Sequence, residues 1–313
     1  MYNGIINVYK EKGFTSFDVV AKLRGILKQK KIGHTGTLDP DAEGVLVVCL
    51  GNATKLCDML TDKDKKYEAR LLLGMTSDTE DSSGTILEKK PVTASEQEVR
   101  EAVLSFVGEY DQIPPMYSAI KVNGKKLYEL ARQGIEIERL PRHVEVYDID
   151  ITEIDLPYVS FFVTCSKGTY IRSLCRDIGQ KLSCGGLMDG LIRRSVNISD
   201  TGMVFDINDS LKLSEIEKLV EESDFENHIL TIDKMFPDMK KVLVNDRGSK
   251  RLMNGNVLFK NDFTVPDDDS LKEQHFSLPD KNDCLIYNTD RSFKAIYRYD
   301  DKTGGWKAFK MFL

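Results

Sequence analysis

The chain has 313 residues, 41% hydrophobic and 30% charged, enough to bury a substantial core as one large domain or two. Its longest apolar run, residues 45–50, is far too short to span a bilayer, and the opening MYNGIINVYKEKG lacks the apolar core of a secretion signal. A soluble, cytoplasmic protein is expected, and the net charge of −6 argues mildly against a nucleic-acid partner.

Residues 4–9 (GIINVY) read as a strand, after which Thr15 and Ser16 offer N-caps for a helix with Phe17, Val20, Leu23 and Leu27 on one face. Next comes GHTGTLDPDAEGVLVV (33–48), which sets His34 and three carboxylates, Asp39, Asp41 and Glu43, in a glycine-rich turn. The turn runs into a buried strand over 45–50. Asn52 is placed to cap a short helix over 53–60, and 67–73 reads as the next strand. Ser95 with Glu98 forms a capping box for a helix carrying Val99, Ala102, Val103 and Phe106. Residues 112–134 are loop-rich, with Pro-Pro and Asn-Gly turn signals and a short helix over 127–131. Two adjacent strands are expected over 144–154 and 158–165. Thr169 then opens a helix burying Ile171, Leu174, Cys175, Ile178 and Leu182, with Arg172 and Arg176 on its other faces. Beyond 242 the short runs KVLVN, GNVLF, CLIYNTD, FKAIYRYDD and GWKAFKMFL predict a small all-β unit, with a boundary near 238.

Charge is unevenly spread. Lys22, Arg24, Lys28, Lys30 and Lys31 form one basic group, Lys121, Lys125 and Lys126 a second, and Arg193 with Arg194 a third. Acidic residues gather in EESDFE (221–226) and PDDDS (266–270). Such groups are ordinarily solvated faces. The six cysteines show no C-x-x-C spacing and read as reduced, buried thiols. A metal loop at Asp39, Asp41 and Glu43 lacks the acidic ligand run and distal Glu of a calcium loop, and Pro40 stiffens it where ligands would converge. No G-K-[ST] completes a phosphate loop, no G-x-S-x-G occurs, and the four histidines have no paired metal spacing. A glycosidase-like carboxylate pair stays open. Each residue also has a bland reading: Asp39 a turn residue before proline, His34 a satisfied loop histidine, Tyr67 a core aromatic, Arg172 a solvated helix residue.

GHTGTLDPDAEGVLVVCLGNATK resembles the catalytic motif of the TruB family of tRNA pseudouridine synthases. GFTSFDVVAKLRGIL, DKKYEARLLLG, PPMYSAIKVNGKKLYELARQG and CSKGTYIRSLCRDIG resemble further blocks of that family, in its order, over about residues 3–200. The family's K-P-x-G reads Lys10-Glu11-Lys12-Gly13 here, without the stiffening proline. The tail resembles a PUA domain, an RNA-binding pseudo-barrel. The resemblance implies an α+β pseudouridine synthase fold. Its central mixed, largely antiparallel sheet would be flanked by helices and an RNA-binding insertion at about 110–145. Residues 1–238 would form the catalytic domain and 239–313 the PUA-like domain. The implied reaction is conversion of uridine 55 to pseudouridine in the TΨC loop of tRNA, by base flipping, with no cofactor or metal. The implied partner is the T-arm stem-loop, met by a monomer without an obligatory protein partner or membrane. An alternative is a tRNA-folding chaperone whose role needs no catalysis. Action within a guide-RNA complex, as in related archaeal and eukaryotic enzymes, is disfavoured by the compact tail and bacterial-style insertion.

Position by position, Asp39 matches the family's aspartate nucleophile, Tyr67 the tyrosine that stacks on the target uracil and is a candidate general base, and Arg172 the arginine pairing with the aspartate. His34 matches a histidine filling the space of the extruded nucleotide, Asp81 an acidic position near the RNA, and Leu191 an apolar neighbour of the base. Lys31, Lys121, Lys125, Lys126 and Arg193 would contact phosphates. The isomerisation loses no group and changes no oxidation state, so a carboxylate suffices to start it, at uracil C6 or at C1′. Burial would raise that carboxyl's pKa. A guanidinium about 4 Å away, at an effective dielectric near 20, supplies about 4 kcal/mol for the charged form, enough to offset a shift of about two to three units. Flipping the base costs a few kcal/mol, met by aromatic and apolar walls.

Overall fold

The structure, a computed structural model, describes residues 1–61, 64–122, 124–198, 202–266 and 276–313. Residues 267–270 of the acidic PDDDS tract and Asn123 of the expected Asn-Gly turn lie outside the described residues.

In chain order, β1 (Gly4–Lys10) leads to α1 (Ser16–Ile26), then β2 (Ile32–His34) and β3 (Glu43–Leu50). After a 3-10 turn come α2 (Cys57–Thr61), β4 (Asp64–Leu73), and a hairpin of β5 (Met75–Ser77) and β6 (Ile86–Lys89). Next are α3 (Glu96–Leu104) and β7 (Gly108–Gln112), and then the pair β8 (Lys121–Val122) and β9 (Lys125–Lys126) with α4 (Leu127–Ala131). The long strands β10 (Arg142–Asp155) and β11 (Tyr158–Cys165) precede α5 (Ile171–Lys181), β12 (Gly186–Ile198), β13 (Met203–Asp206) and α6 (Leu213–Glu221). The C-terminal part holds β14 (Lys240–Val244), α7 (Asp246–Leu252), β15 (Phe263–Thr264), β16 (Cys284–Tyr287), β17 (Phe293–Asp300) and β18 (Gly305–Met311).

The main sheet runs β1-β3-β12-β4-β11-β10-β7, with β2 beside β3 and β13 beside β12. Its pairs are antiparallel except β12 with β3. The sheet is therefore mixed and largely antiparallel, as the resemblance implied. The unbroken apolar run of β3 has a plain cause: both of its faces are covered. Leu46, Val48 and Leu50 pack with Val19, Val20 and Leu23 of α1 and Ile216 of α6, while Val45, Val47 and Cys49 join a second cluster on the opposite face. A third cluster packs α3 and α5 against β4, β10, β11 and β12 and takes in Leu38, Ala42, Tyr67 and Leu191. The parallel junction of β3 and β12 requires glycine at Gly44 (φ +101), because a Cβ there would sit 2.3 Å from the Arg193 carbonyl oxygen.

The C-terminal sheet runs β15-β14-β16-β17-β18, and Leu258 exchanges backbone hydrogen bonds with Trp306 of the far edge strand, curling it around its own core. Leu243, Leu285, Tyr287, Ile296 and Phe312 share the cluster of Val45 and Val47, so this sheet is docked on the back of β1 and β3.

Three expectations need correcting. Phe17 is 65% exposed, since α1 turns Ser16, Val19, Val20 and Leu23 inward; the capping box at Thr15 and Asp18 sets that phase. Asn52 does not cap a helix over 53–60. Residues Gly51–Leu56 form a 3-10 turn, and the Asn52 amide reaches the carbonyls of Phe312 and Leu313. GNVLF is not a strand, because only Leu258 finds a pairing partner. The segment before it forms α7, capped by Asn245 and concealed in the sequence by its few apolar residues. Cys49, Cys165, Cys175, Cys184 and Cys284 are buried and Cys57 half-buried, none in a disulfide. No helix among the described residues is long and apolar enough to cross a membrane.

Candidate active site

Asp39 stands on the turn between β2 and β3, pinned from several sides. Ser16 Oγ bonds both the N–H and the carbonyl of Leu38 (2.9 and 3.3 Å), and Thr35 N–H donates to the Val47 carbonyl at 3.1 Å. The Pro40 carbonyl accepts from Gly13 N–H at 2.9 Å and from Lys10 Nζ at 3.0 Å. Lys10 is fully buried, and its ammonium also donates to the Phe14 and Glu11 carbonyls. Burial brings its pKa down to about 8, against the pull of Asp39, Glu43 and Asp41. Lys10 and Gly13, the two residues of K-P-x-G that this chain keeps, thus grip the neighbour of Asp39.

Arg172 closes the other side. It lies on α5 with a side chain only 5% exposed, not on a solvated face, because the Asp39 turn and the insertion cover that part of the helix. Its Nε lies 3.0 Å from Asp39 Oδ2 and its Nη2 donates to Oδ1 at 3.1 Å, a bidentate grip. Further donations reach the carbonyls of Thr79 (3.0 Å) and Tyr117 (2.8 Å), and Asp81 Oδ2 lies 3.8 Å away. One guanidinium therefore ties together the Asp39 turn, the 79–81 loop and the insertion. The Asp39 side chain remains 36% exposed. Its pKa is raised: crowding by protein is the largest cause and Asp81 adds to it, while Arg172 and Lys10 oppose. The expected offset by the guanidinium is present but falls short of the burial effect.

Tyr67 of β4 is buried within the same apolar cluster as Leu38 and Leu191. Burial raises its phenol pKa, with Arg193 opposing through charge and a hydrogen bond. The ring thus presents a protonated phenol at neutral pH. Arg193, expected at a phosphate, is 2% exposed and points inward: β12 runs under the Asp39 turn, so the guanidinium is engaged by the carbonyls of Val45 (2.6 Å) and Gly36 (3.1 Å) and by Tyr67. It buttresses the turn from beneath. Arg193→Met should cost about 2–4 kcal/mol, since it orphans buried carbonyls, and a urea unfolding curve measures that loss.

Asp81 sits beside Arg172, its Oδ1 accepting from the Thr79 and Ser83 hydroxyls at 2.6 Å. His34 is half-buried at the end of β2, its pKa lowered by burial and then by Arg193. Lys31 is at the surface, 2.8 Å from Asn52 Oδ1, and Lys121, Lys125 and Lys126 lie on the β8–β9 pair of the insertion, none contacting Asp39. Sequence reasoning missed Lys10 and a second charged layer. In that layer Glu80 pairs with Arg176 and accepts from Ser173 Oγ at 2.8 Å, and Arg139 approaches it at 3.9 Å. Arg176 stands four residues after Arg172 on the same helix face, a spacing that could have flagged it. No cluster among the described residues has the composition of a metal site.

The match to known proteins covers the chain. Residues 24–171 match the family model for the TruB family pseudouridylate synthase (N terminal domain). The chain is 54% identical to the tRNA pseudouridine synthase B of Lachnoclostridium phytofermentans, over 99% of this chain and 100% of that one. It is 45% identical to that of Clostridium acetobutylicum, over 99% of both. Among solved structures, it resembles a crystal structure of a Cbf5-Nop10-Gar1 complex, with a TM-score of 0.67, 25% identity, and 99% of this chain and 85% of that chain covered. An H/ACA RNP bound to a substrate RNA containing 2'-deoxyuridine shares the fold at a TM-score of 0.66 and 23% identity, with the same coverage.

Proposed function

Because the chain belongs to the TruB family of pseudouridylate synthases, we propose that it isomerises uridine 55 of tRNA to pseudouridine, with Asp39 as the nucleophile. The observation that carries this is the bidentate Arg172–Asp39 pair, its carboxylate still partly exposed, on a turn fixed by Lys10, Ser16 and Arg193. A carboxylate held this way has its lone pairs directed before substrate arrives, so little reorganisation is left for the reaction itself. Arg172 keeps the charged form available despite crowding. The target base, flipped out of the T-loop, would lie against Tyr67 and Leu191, with the Tyr67 phenol as a hydrogen-bond donor. His34 would fill the gap left behind. Lys31 and the Lys121, Lys125 and Lys126 group would meet the phosphates of the arm. Residues 1–238 serve as the catalytic unit and 239–313 as a PUA-like RNA-binding unit.

The test is one assay: purified protein is incubated with a bare T-arm stem-loop, and pseudouridine is mapped by position. Conversion at the uridine corresponding to position 55, without guide RNA or added protein, is expected. Absence of conversion, or conversion elsewhere in the loop, defeats the assignment.

A further inference from the structure

Glu80 is 8% exposed and has a left-handed backbone (φ +63), which a residue other than glycine keeps only where its surroundings hold it. Its carbonyl accepts from Met188 N–H at 3.0 Å, and its own N–H donates to the Ser77 carbonyl at 3.3 Å. Its carboxylate reaches α5, where Oε2 accepts from Ser173 Oγ at 2.8 Å and Oε1 pairs with Arg176 Nη1. Arg139 Nη1 lies 3.9 Å from the same Oε1. The Thr79 carbonyl, in the same peptide unit as the Glu80 N–H, instead accepts from Arg172 Nη1 at 3.0 Å. So the side chain that aims this peptide is engaged by the residues one and four places after Arg172 on the same helix.

The cations that Glu80 binds also hold the insertion. Arg176 Nη2 donates to the Ile113 carbonyl and Arg139 Nη1 to the Pro114 carbonyl, both at 3.0 Å. Gln112 exchanges hydrogen bonds with the Tyr170 backbone at 2.8 and 3.0 Å, and Arg172 Nη2 donates to the Tyr117 carbonyl at 2.8 Å. Residues 112–117 are thereby sewn along α5, with Glu80 the carboxylate between two of the stitches. Asp177 shares Arg176 with it at 2.8 Å, and Glu136 shares Arg139 at 3.6 Å.

We propose that Glu80 is a positioning residue for the reaction, acting through the Thr79 peptide and Arg176 to hold the Arg172 guanidinium square to both oxygens of Asp39. Two of the acceptors of Arg172, the carbonyls of Thr79 and Tyr117, belong to segments that the Glu80 layer ties to α5. When that layer loosens, the carbonyls drift and the guanidinium follows, losing the bidentate geometry on the carboxylate. The proposal rests on the role given to Asp39 and names what orients the partner of that carboxylate.

The experiment compares the full chain with Glu80→Gln and Glu80→Asp, by single-turnover kinetics on the T-arm stem-loop across pH and by a ¹³C NMR titration of the Asp39 carboxyl. Glu80→Gln should lower kcat about ten- to a hundredfold with KM within about twofold. Arg172 opposes the raised pKa of Asp39, so a loosened Arg172 should move the NMR midpoint and the acid limb of kcat/KM to higher pH. Loss of the Glu80 charge by itself would move them to lower pH, so the sign separates positioning from plain electrostatics. Glu80→Asp keeps the charge but is one methylene too short to span Ser173 and Arg176, and should show the same upward shift. An Asp39 midpoint that stays or falls in Glu80→Gln overturns the proposal whatever the rate does. A loss confined to KM, or full recovery by Glu80→Asp, overturns it too. Arg176→Lys, which drops the Ile113 carbonyl, is judged by the same midpoint if Glu80→Gln does not fold. A parent that leaves its uridine unconverted defeats the catalytic reading of Asp39 instead, and the NMR titration still judges Glu80.

Discussion

Asp39→Asn should lower pseudouridine formation by about 10⁴-fold or more while leaving T-arm affinity within a few-fold, because it deletes the one group proposed to attack and changes no volume. Stopped single-turnover assays beside filter binding separate the two quantities. Parental turnover by this variant would remove Asp39 from the mechanism. The same variant separates catalysis from RNA folding: if the protein's main role were that of a chaperone, Asp39→Asn would promote tRNA folding as well as the parent. The raised pKa adds two consequences. The form proposed to react is the carboxylate, so kcat/KM should fall as pH drops through a midpoint above the ordinary aspartate value of 3.8. For stability the sign runs the other way. The folded state binds the Asp39 proton more tightly than the unfolded state, so this group's contribution is largest at low pH and is lost as pH rises through the folded pKa. Asn cannot ionise and escapes that loss. Asp39→Asn should therefore melt no lower than the parent at pH 7, and its advantage should shrink toward the ordinary carboxylate range. A calorimetric series across pH reads this directly.

Arg172→Lys should cost about 10²–10³-fold in kcat and about 3 kcal/mol of stability, despite keeping the charge. The guanidinium serves two oxygens of Asp39 and the carbonyls of Thr79 and Tyr117 at once, and an ammonium on a flexible stem cannot span them. Placed on top of Asp39→Asn, the lysine substitution should add little further loss of rate, since both changes disable the same attack. It should still lower stability, because the two carbonyls remain unserved. Independent, multiplicative losses of rate would show that Arg172 acts on the substrate and not through Asp39.

The sequence by itself determined much of this protein. The alternation in 158–165, the capping box at Ser95 and Glu98, and the apolar run of 45–50 each announced an element that the structure contains, because local periodicity and caps are local physics. The ordered motifs announced the family and brought Asp39, Tyr67 and Arg172 into one reading. The tertiary structure decided which charges are buried against the chain's own carbonyls and which stay at the surface. Arg193 and Arg194 are neighbours of identical type, yet strand alternation buries the first beneath the Asp39 turn and leaves the second at the surface beside Glu68. Lys10, ordinary in a strand of the sequence, becomes a buried clamp only because the 38–42 turn folds back over it. Asp39 likewise owes its raised pKa to crowding by segments far away in the chain, which no local pattern encodes. Burial is a property of what packs from elsewhere, and it alone decides whether a charge meets water, RNA or a carbonyl.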